Sequence, residues 1–288
     1  MASVRLAFSE ELEGGKNKGS QWIHEWIDGN LSEEESLQYL RALIPDYQPK
    51  GAVVCVCSRE QDWRDSLNSF NINCIRYIFR TQSFYLLSVI EKKYFIFVLV
   101  NLKESDWKER VSNALIQIRQ SSFLKLFSKE TLFFGVGKFS EFLSGLSGSF
   151  QTAIEMIDLQ KKGFISHECI YENLHIYRLV LLLQDQGNIN EYINEYVGPV
   201  IAYDKKHNSE LLHTLVELLE ANGSKNDAAK RLFIVRQTLY HRLEKLKELL
   251  GEDYMEPRKR AAIEFSLYAF RFLNHATQIS ASEKQAIQ

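Results

Sequence analysis

Residues 226–250 read NDAAKRLFIVRQTLYHRLEKLKELL. Asn226 suits a helix N-cap, and Asp227 then lies in the first turn of a short helix over 227–232, where a negative charge meets the positive end of the helix dipole. Ala228, Ala229 and Leu232 make its apolar side, and Ala229 is small enough to admit a second helix at close range. Phe233-Ile234-Val235 forms a turn. From Arg236 onward, Leu239, Leu243, Leu246 and Leu250 recur at steps of 4, 3 and 4, a single apolar seam on a helix. Two helices across a tight turn, the second longer and basic, is the helix-turn-helix pattern.

The side chains outside the seam fit the same reading. Arg236 and Tyr240 share one helical row, and Gln237 and His241 the next. They stand near the helix N-terminus, the end that such helices push into the major groove. Arginine reads guanine O6 and N7, and glutamine reads adenine N6 and N7. Thr238 and Tyr240 can donate to phosphate or meet a thymine methyl. Lys245 is a candidate phosphate contact, and Lys225 and Arg242 complete the candidate DNA-binding set. Between residues 222 and 262, ten lysines and arginines stand against six aspartates and glutamates, in a chain whose net charge is -2. That segment is therefore +4 and the remainder -6, a charge asymmetry expected of a DNA footprint on one domain. Leucines at this spacing also occur in ordinary helix packing, and lysines on a helix also make a solvated face. The short apolar helix, the turn and the Arg-Gln-Thr-Leu-Tyr run together point to DNA.

The rest of the chain has a different texture. It has 288 residues, 45% hydrophobic and 25% charged, which excludes a mainly disordered or collagen-like protein. Residues 1–19 read as a mobile, glycine-rich opening, and residues 20–50 as helices. One helix is expected over 22–28. The next spans 32–43, with Ser32 and Glu35 in capping-box spacing and Pro45 as its stop. Residues 52–57, Ala-Val-Val-Cys-Val-Cys, are a continuous apolar run of strand length, expected of a strand buried on both faces. A polar, helical stretch is expected around 61–70. Residues 84–90 and 94–100 form a hairpin across Glu91-Lys92-Lys93. A helix over 107–118, a strand over 132–136, a helix over 149–160 and a last short strand near 169–171 complete this half. Strands alternating with helices around one hairpin give an α+β fold built on the ferredoxin-like α/β sandwich. After residue 173 only helices follow: 175–183, 188–196, 211–219, the two helices described above, and 257–273. Val197-Gly198-Pro199 interrupts the pattern.

Several functions are excluded or disfavoured by residue type. Glu10, Glu11 and Glu13 occupy positions where a signal peptide needs an apolar run, and no span fits a membrane helix, so a cytoplasmic protein is expected. Cys55, Cys57, Cys74 and Cys169 have neither zinc-site spacing nor disulfide density, and read as reduced core cysteines. Gly135-Val136-Gly137 is a lone G-x-G with no phosphate loop after it. No metal, cofactor or catalytic set is expected.

The run Asp227-Ala-Ala-Lys-Arg-Leu-Phe-Ile-Val-Arg-Gln-Thr-Leu-Tyr-His-Arg-Leu243 resembles the C-terminal helix-turn-helix of PucR/CdaR-type bacterial transcription regulators, which act in purine-catabolism and sugar-diacid pathways. Three further segments resemble that family in order: residues 171–179 (YENLHIYRL), 196–204 (YVGPVIAYD) and 211–215 (LLHTL). The resemblance implies that Arg236, Gln237 and Thr238 face DNA, that Leu239 is core, and that Arg242 faces DNA or a phosphate. Gln237 stands where the family has Asn, Val235 where His is common, and His175 where Gly is usual. The resemblance further implies that the α/β half is a degenerate GGDEF-like domain. A working cyclase needs carboxylates at the hairpin turn to hold its metal, and here that turn is Glu91-Lys92-Lys93, so no enzyme is expected.

The expected organisation is a GGDEF-like α/β domain over 51–172, a helical linker over 173–210, an all-helical helix-turn-helix domain over 211–275 and a tail over 276–288. The expected function is a sequence-specific regulator of a catabolic operon, with a double-stranded DNA operator as partner and a small-molecule effector of unknown identity as a candidate second partner. One helix-turn-helix contacts one half-site, so a homodimer or higher homo-oligomer is expected. Ile263, Leu267 and Phe270 can pack within the chain or on a partner. The alternative is a catalytically inactive cyclase-like sensor whose helical half binds a protein.

Overall fold

The structure is a computed structural model and describes residues 21–46, 48–59, 69–91, 93–121, 132–165, 168–185 and 187–286, with side chains to residue 274. It divides into two compact units, Met1–Asn173 and Leu174–Gln288.

The first unit begins with helices α1 (Gln21–Ile27) and α2 (Glu33–Leu43). The Ser32 hydroxyl accepts the Glu35 N–H, and the Glu35 carboxylate takes the Ser32 N–H at 2.9 Å, so the capping box forms as its spacing predicts. Strand β1 (Ala52–Ser58) is buried along its whole length, as its unbroken apolar run requires. Helix α3 (Ser69–Thr81), strands β2 (Phe84–Glu91) and β3 (Tyr94–Asn101), helix α4 (Trp107–Gln120) and strand β4 (Phe133–Val136) follow. The four strands lie in the order β2-β3-β1-β4, and every pairing is antiparallel. This is the order produced by interleaving two split βαβ units.

Alternation along the strands makes two faces. Cys55, Cys57, Phe95, Phe97 and Phe134 pack under Ile75 and Phe79 of α3 and Val111 and Leu115 of α4. Val54, Val56, Ile96 and Val98 pack instead against Trp26, Leu40 and helix α5 (Leu146–Lys161). Gly135 and Gly137 face α5 so closely that a β-carbon would meet the Ala153 carbonyl oxygen at 2.1 Å and that of Ser149 at 1.8 Å. The G-x-G spacing thus serves helix–sheet approach. Where β4 ends, the Ser149 hydroxyl accepts the Val54 N–H at 2.8 Å and satisfies a buried donor.

Two expectations need correction, and one lies outside the described residues. The sequence reading places no element over 71–81, yet α3 covers it, because Ile72, Ile75 and Phe79 at steps of 3 and 4 give it a buried stripe. The helix expected around 61–70 falls largely on residues 60–68, outside the described residues. The last strand near 169–171 is a single parallel bridge, Ile170 to Val136. The Glu168 carboxylate takes the N–H groups of Cys169 and Ile170, and a 3-10 turn, Tyr171–Leu174, follows at once.

The second unit is helical: α6 (Tyr177–Asp185), α7 (Ile189–Tyr196), α8 (Gly198–His207), α9 (Leu211–Glu220), α10 (Lys225–Arg231), α11 (Arg236–Leu250) and α12 (Pro257–Ala286). His175 adopts φ 44, a left-handed conformation that suits the glycine it replaces. The segment expected as a helical linker forms three packed helices. Val180, Ile189, Ile193 and Val200 are buried, Tyr177 stacks on Phe272 at 5.1 Å, and Tyr192 meets Phe265 edge-on at 5.5 Å. Val197-Gly198-Pro199 interrupts the helical pattern as expected: α7 ends at Tyr196 and α8 begins at Gly198, with Pro199 in its first turn, where a missing N–H does no harm. Helix α12 continues to Ala286, through residues expected as a tail. Ile263 and Leu267 are buried within the chain.

Candidate nucleic-acid interface

Helices α9, α10 and α11 build the helix-turn-helix around the seam the sequence marks. Leu239, Leu243, Leu246 and Leu250 are buried with Leu215, Leu218, Ala228 and Ala229, whereas Leu232 is only partly covered. The cap of α10 is Ser224 and not Asn226. Its hydroxyl accepts the Asp227 N–H and donates to the Asp227 carboxylate at 2.7 Å. The S-x-x-D spacing carries that signal in the sequence. The Ser224 hydroxyl, with Lys230 and Arg231 adding less, holds the Asp227 carboxyl below the usual aspartate range.

Helix α10 ends in a Schellman motif. The Ile234 N–H donates to the Ala229 carbonyl, the Phe233 N–H donates to that of Lys230, and Phe233 takes φ 54. A residue with a β-carbon is strained there by about 1–2 kcal/mol. Helix α11 then starts at Val235, which has extended backbone and supplies no side-chain cap. The missing oxygen forgoes about 1 kcal/mol relative to a serine or aspartate.

The predicted contact residues divide into two groups. Arg236, Gln237, Thr238, Tyr240 and His241 are exposed on the first turn and a half of α11. The side chains of Arg236, Gln237 and His241 form no hydrogen bond or ion pair among the described residues. Lys225 joins them from α10, its ammonium 4.8 Å from the Tyr240 ring centre, a cation–π contact that fixes both side chains on one surface. Arg242 and Lys245 belong to the second group. Arg242 donates to the Thr214 hydroxyl at 3.0 Å and to the Glu210 carboxylate at 3.2 Å, bracing α11 on α9. Lys245 pairs with Glu248 at 2.6 Å and lies over Tyr203 at 5.0 Å; the Glu248 hydrogen bond raises its pKa.

The local excess of cations is likewise mostly spent inside the unit. Arg231 meets Glu217 and Glu220, Lys247 meets Glu244 and Glu252, Lys259 meets Asp253, and Arg260 pairs with Glu264 while reaching the Leu219 carbonyl. Of the ten basic residues, Lys225, Arg236 and Arg258 make no ion pair among the described residues.

One positioning residue has no role in the sequence reading. The Asp204 carboxylate accepts the N–H groups of Leu211 and Leu212 at 2.9 and 2.8 Å and the Ser209 hydroxyl, so a side chain on α8 caps α9. The Tyr-Asp at the end of the 196–204 segment is its only sequence signal. In the first unit, burial pushes the Cys55 and Cys57 thiols well up and that of Cys169 to about 11, as expected of unreactive core thiols. Among the described residues, no group of three histidines, cysteines or carboxylates is placed to hold a metal ion, and no helix is long and apolar enough to cross a membrane.

Residues 211–269 match the model of the PucR C-terminal helix-turn-helix domain. The chain is similar to three regulators of Bacillus subtilis (strain 168). It is 26% identical over 188 residues to the purine catabolism regulatory protein, covering 62% of this chain and 33% of that one. It is 28% identical over 138 residues to the proline-responsive transcriptional activator PutR (47% and 34% covered). It is 24% identical over 135 residues to the DNA-binding transcriptional activator AdeR (46% and 31% covered). The chain thus spans about a third of the length of these relatives. A regulator of polyketide synthase expression from Bifidobacterium adolescentis is a more distant likeness, with TM-score 0.37 and 15% identity over 90% of this chain and 96% of that one.

Proposed function

We propose that the chain, whose residues 211–269 match the PucR C-terminal helix-turn-helix domain, is a PucR-type regulator that acts in the cytoplasm as a sequence-specific DNA-binding regulator of a catabolic operon. The observation that carries this reading is the exposed, unpaired row Arg236, Gln237 and His241 at the N-terminal end of α11, beside Lys225 and Tyr240. Arg236 and Gln237 read base edges, and Lys225 and Tyr240 meet phosphate. Arg242 is a brace, and Lys245 is neutralised by Glu248. Farther along α11, Lys245 and Lys247 are paired with Glu248 and Glu244, so the unpaired charge of the helix is confined to its start. The protein works as a homodimer or higher homo-oligomer, since one such unit reaches a single half-site.

The first unit is a sensory, GGDEF-like domain that takes a small effector or supports self-association. The split βαβ strand order supports this likeness. At the hairpin end, where a cyclase holds its metal, Glu91 pairs with His24 at 3.0 Å. That pairing, and lysines in the turn where a second carboxylate is needed, favour a non-catalytic role.

Gel retardation and footprinting on the DNA upstream of the protein's own and neighbouring genes, at two salt concentrations with random duplex as competitor, tests the reading. A protected site that resists competitor is expected, and its half-site spacing reports the dimer geometry. Binding lost equally to random DNA would reduce the site to a non-specific basic surface. No binding at low salt would favour the alternative, a helical half that docks on a protein.

A further inference from the structure

Two residues on the turn into α11 break local rules. Phe233 holds a left-handed backbone at φ 54, where glycine is unstrained, and its side chain is 95% exposed, so burial of the ring offsets none of the strain. Val235 occupies the N-cap of α11 without a capping oxygen and is 69% exposed. The fold gains nothing from either side chain. Glycine at 233 and serine at 235 suit the same backbone better. Local rules broken without a structural return are expected where function holds the residue.

Their surroundings select the partner. The tip stands between Lys230 at the end of α10 and Arg236 at the start of α11, both exposed. An apolar tip flanked by the unpaired Arg236 and by Lys230, which lies 3.7 Å from Asp227, suits a polyanion whose interior presents apolar groups. In the DNA major groove the apolar group is the thymine 5-methyl, and aromatic and methyl side chains are its usual contacts. We propose that Phe233 and Val235 form an apolar reading tip that packs on thymine methyl groups beside the bases met by Arg236 and Gln237. This rests on the DNA-binding reading above and adds sequence preference at positions where no hydrogen bond is made.

The test removes the methyl and nothing else. The full-length protein first selects its preferred duplex from a random-sequence pool. Each thymine of that duplex is then replaced in turn by deoxyuridine, and affinities are compared at one salt concentration. The same duplexes are offered to F233G and V235S, whose thermal unfolding is measured alongside. The wild-type protein is expected to lose about fourfold in affinity for each methyl buried at the tip. Both variants should unfold at the same or a higher temperature, bind the thymine duplex more weakly, and cease to distinguish deoxyuridine. A selected site insensitive to deoxyuridine, or variants that keep the wild-type ratio, would overturn the proposal while leaving DNA binding intact. The wild-type measurement decides this even if a variant misfolds. Failure of the wild-type chain to select any sequence would overturn the DNA reading itself, and the reading tip with it.

Discussion

Single side chains divide between exposed, unpaired groups and braces within the unit. Arg236, exposed and unpaired, is expected to lose about 1–3 kcal/mol of operator affinity as Arg236→Ala, with relaxed preference at one base pair in a binding-site selection. Lys225→Ala should weaken all duplexes alike and lower the salt slope by about one, because its charge is not paired within the protein. Lys245→Ala should leave that slope nearly unchanged, since Glu248 already neutralises the ammonium at 2.6 Å. Arg242→Ala is expected to lower stability by about 1 kcal/mol in urea unfolding, because it frees α11 from Thr214 and Glu210. The Asp227 carboxyl is held below its ordinary value, chiefly by Ser224. A lowered folded pKa gives stability that is present above the unfolded value of about 3.9 and is lost as pH falls through the folded value. Ser224→Ala should therefore flatten the acid side of a stability–pH curve below about pH 4 and weaken the cap at all pH values.

Helix ends govern the next scale. Helix α9 has no cap from its own chain neighbour, Glu210, and relies on Asp204 of α8. Asp204→Ala should cost about 0.5–2 kcal/mol and speed hydrogen exchange at Leu211 and Leu212. The turn between α10 and α11 shows the opposite economy, with strain at Phe233 and a missing cap at Val235. Capping signals in the sequence are legible when both partners are local, as in Ser32 with Glu35. Asn226 shows how a suitable residue two positions late misplaces the start, because Ser224 and Asp227 close a box around it.

Across the whole molecule, the Lys and Arg count describes composition better than it describes the DNA surface. Most cations of residues 222–262 are paired with carboxylates of the same unit, so the free charge is concentrated at Lys225, Arg236 and Arg258. The first unit depends instead on close approach of α5 to β4. Gly135→Ala would press a β-carbon to 2.1 Å from the Ala153 carbonyl oxygen, and should cost about 1–3 kcal/mol or more through displacement of the helix. With the units divided at residues 173 and 174, calorimetry should show the lowered transition in the α/β unit, while operator affinity at 25 °C stays unchanged.

The amino-acid sequence by itself determined the local devices. The leucine seam of α11, the capping box of α2, the fully apolar run of β1 and the polar hairpin between β2 and β3 all follow from periodicity and nearest-neighbour chemistry, which need no knowledge of distant residues. Tertiary structure alone decided the rest. Helix α3 carries aromatic and β-branched residues whose local preference points away from a helix, and its weak 3 and 4 spacing of Ile72, Ile75 and Phe79 becomes decisive only where the sheet covers that stripe. The segment around Ile170 keeps one bridge because Glu168 takes its N–H groups. Arg242, Lys245 and Arg260 carry the same charge as Arg236. The Glu248 partner of Lys245 lies one helical turn away and is readable from spacing, whereas only the fold brings the Glu210 carboxylate within 3.2 Å of Arg242 and the Leu219 carbonyl within 3.3 Å of Arg260.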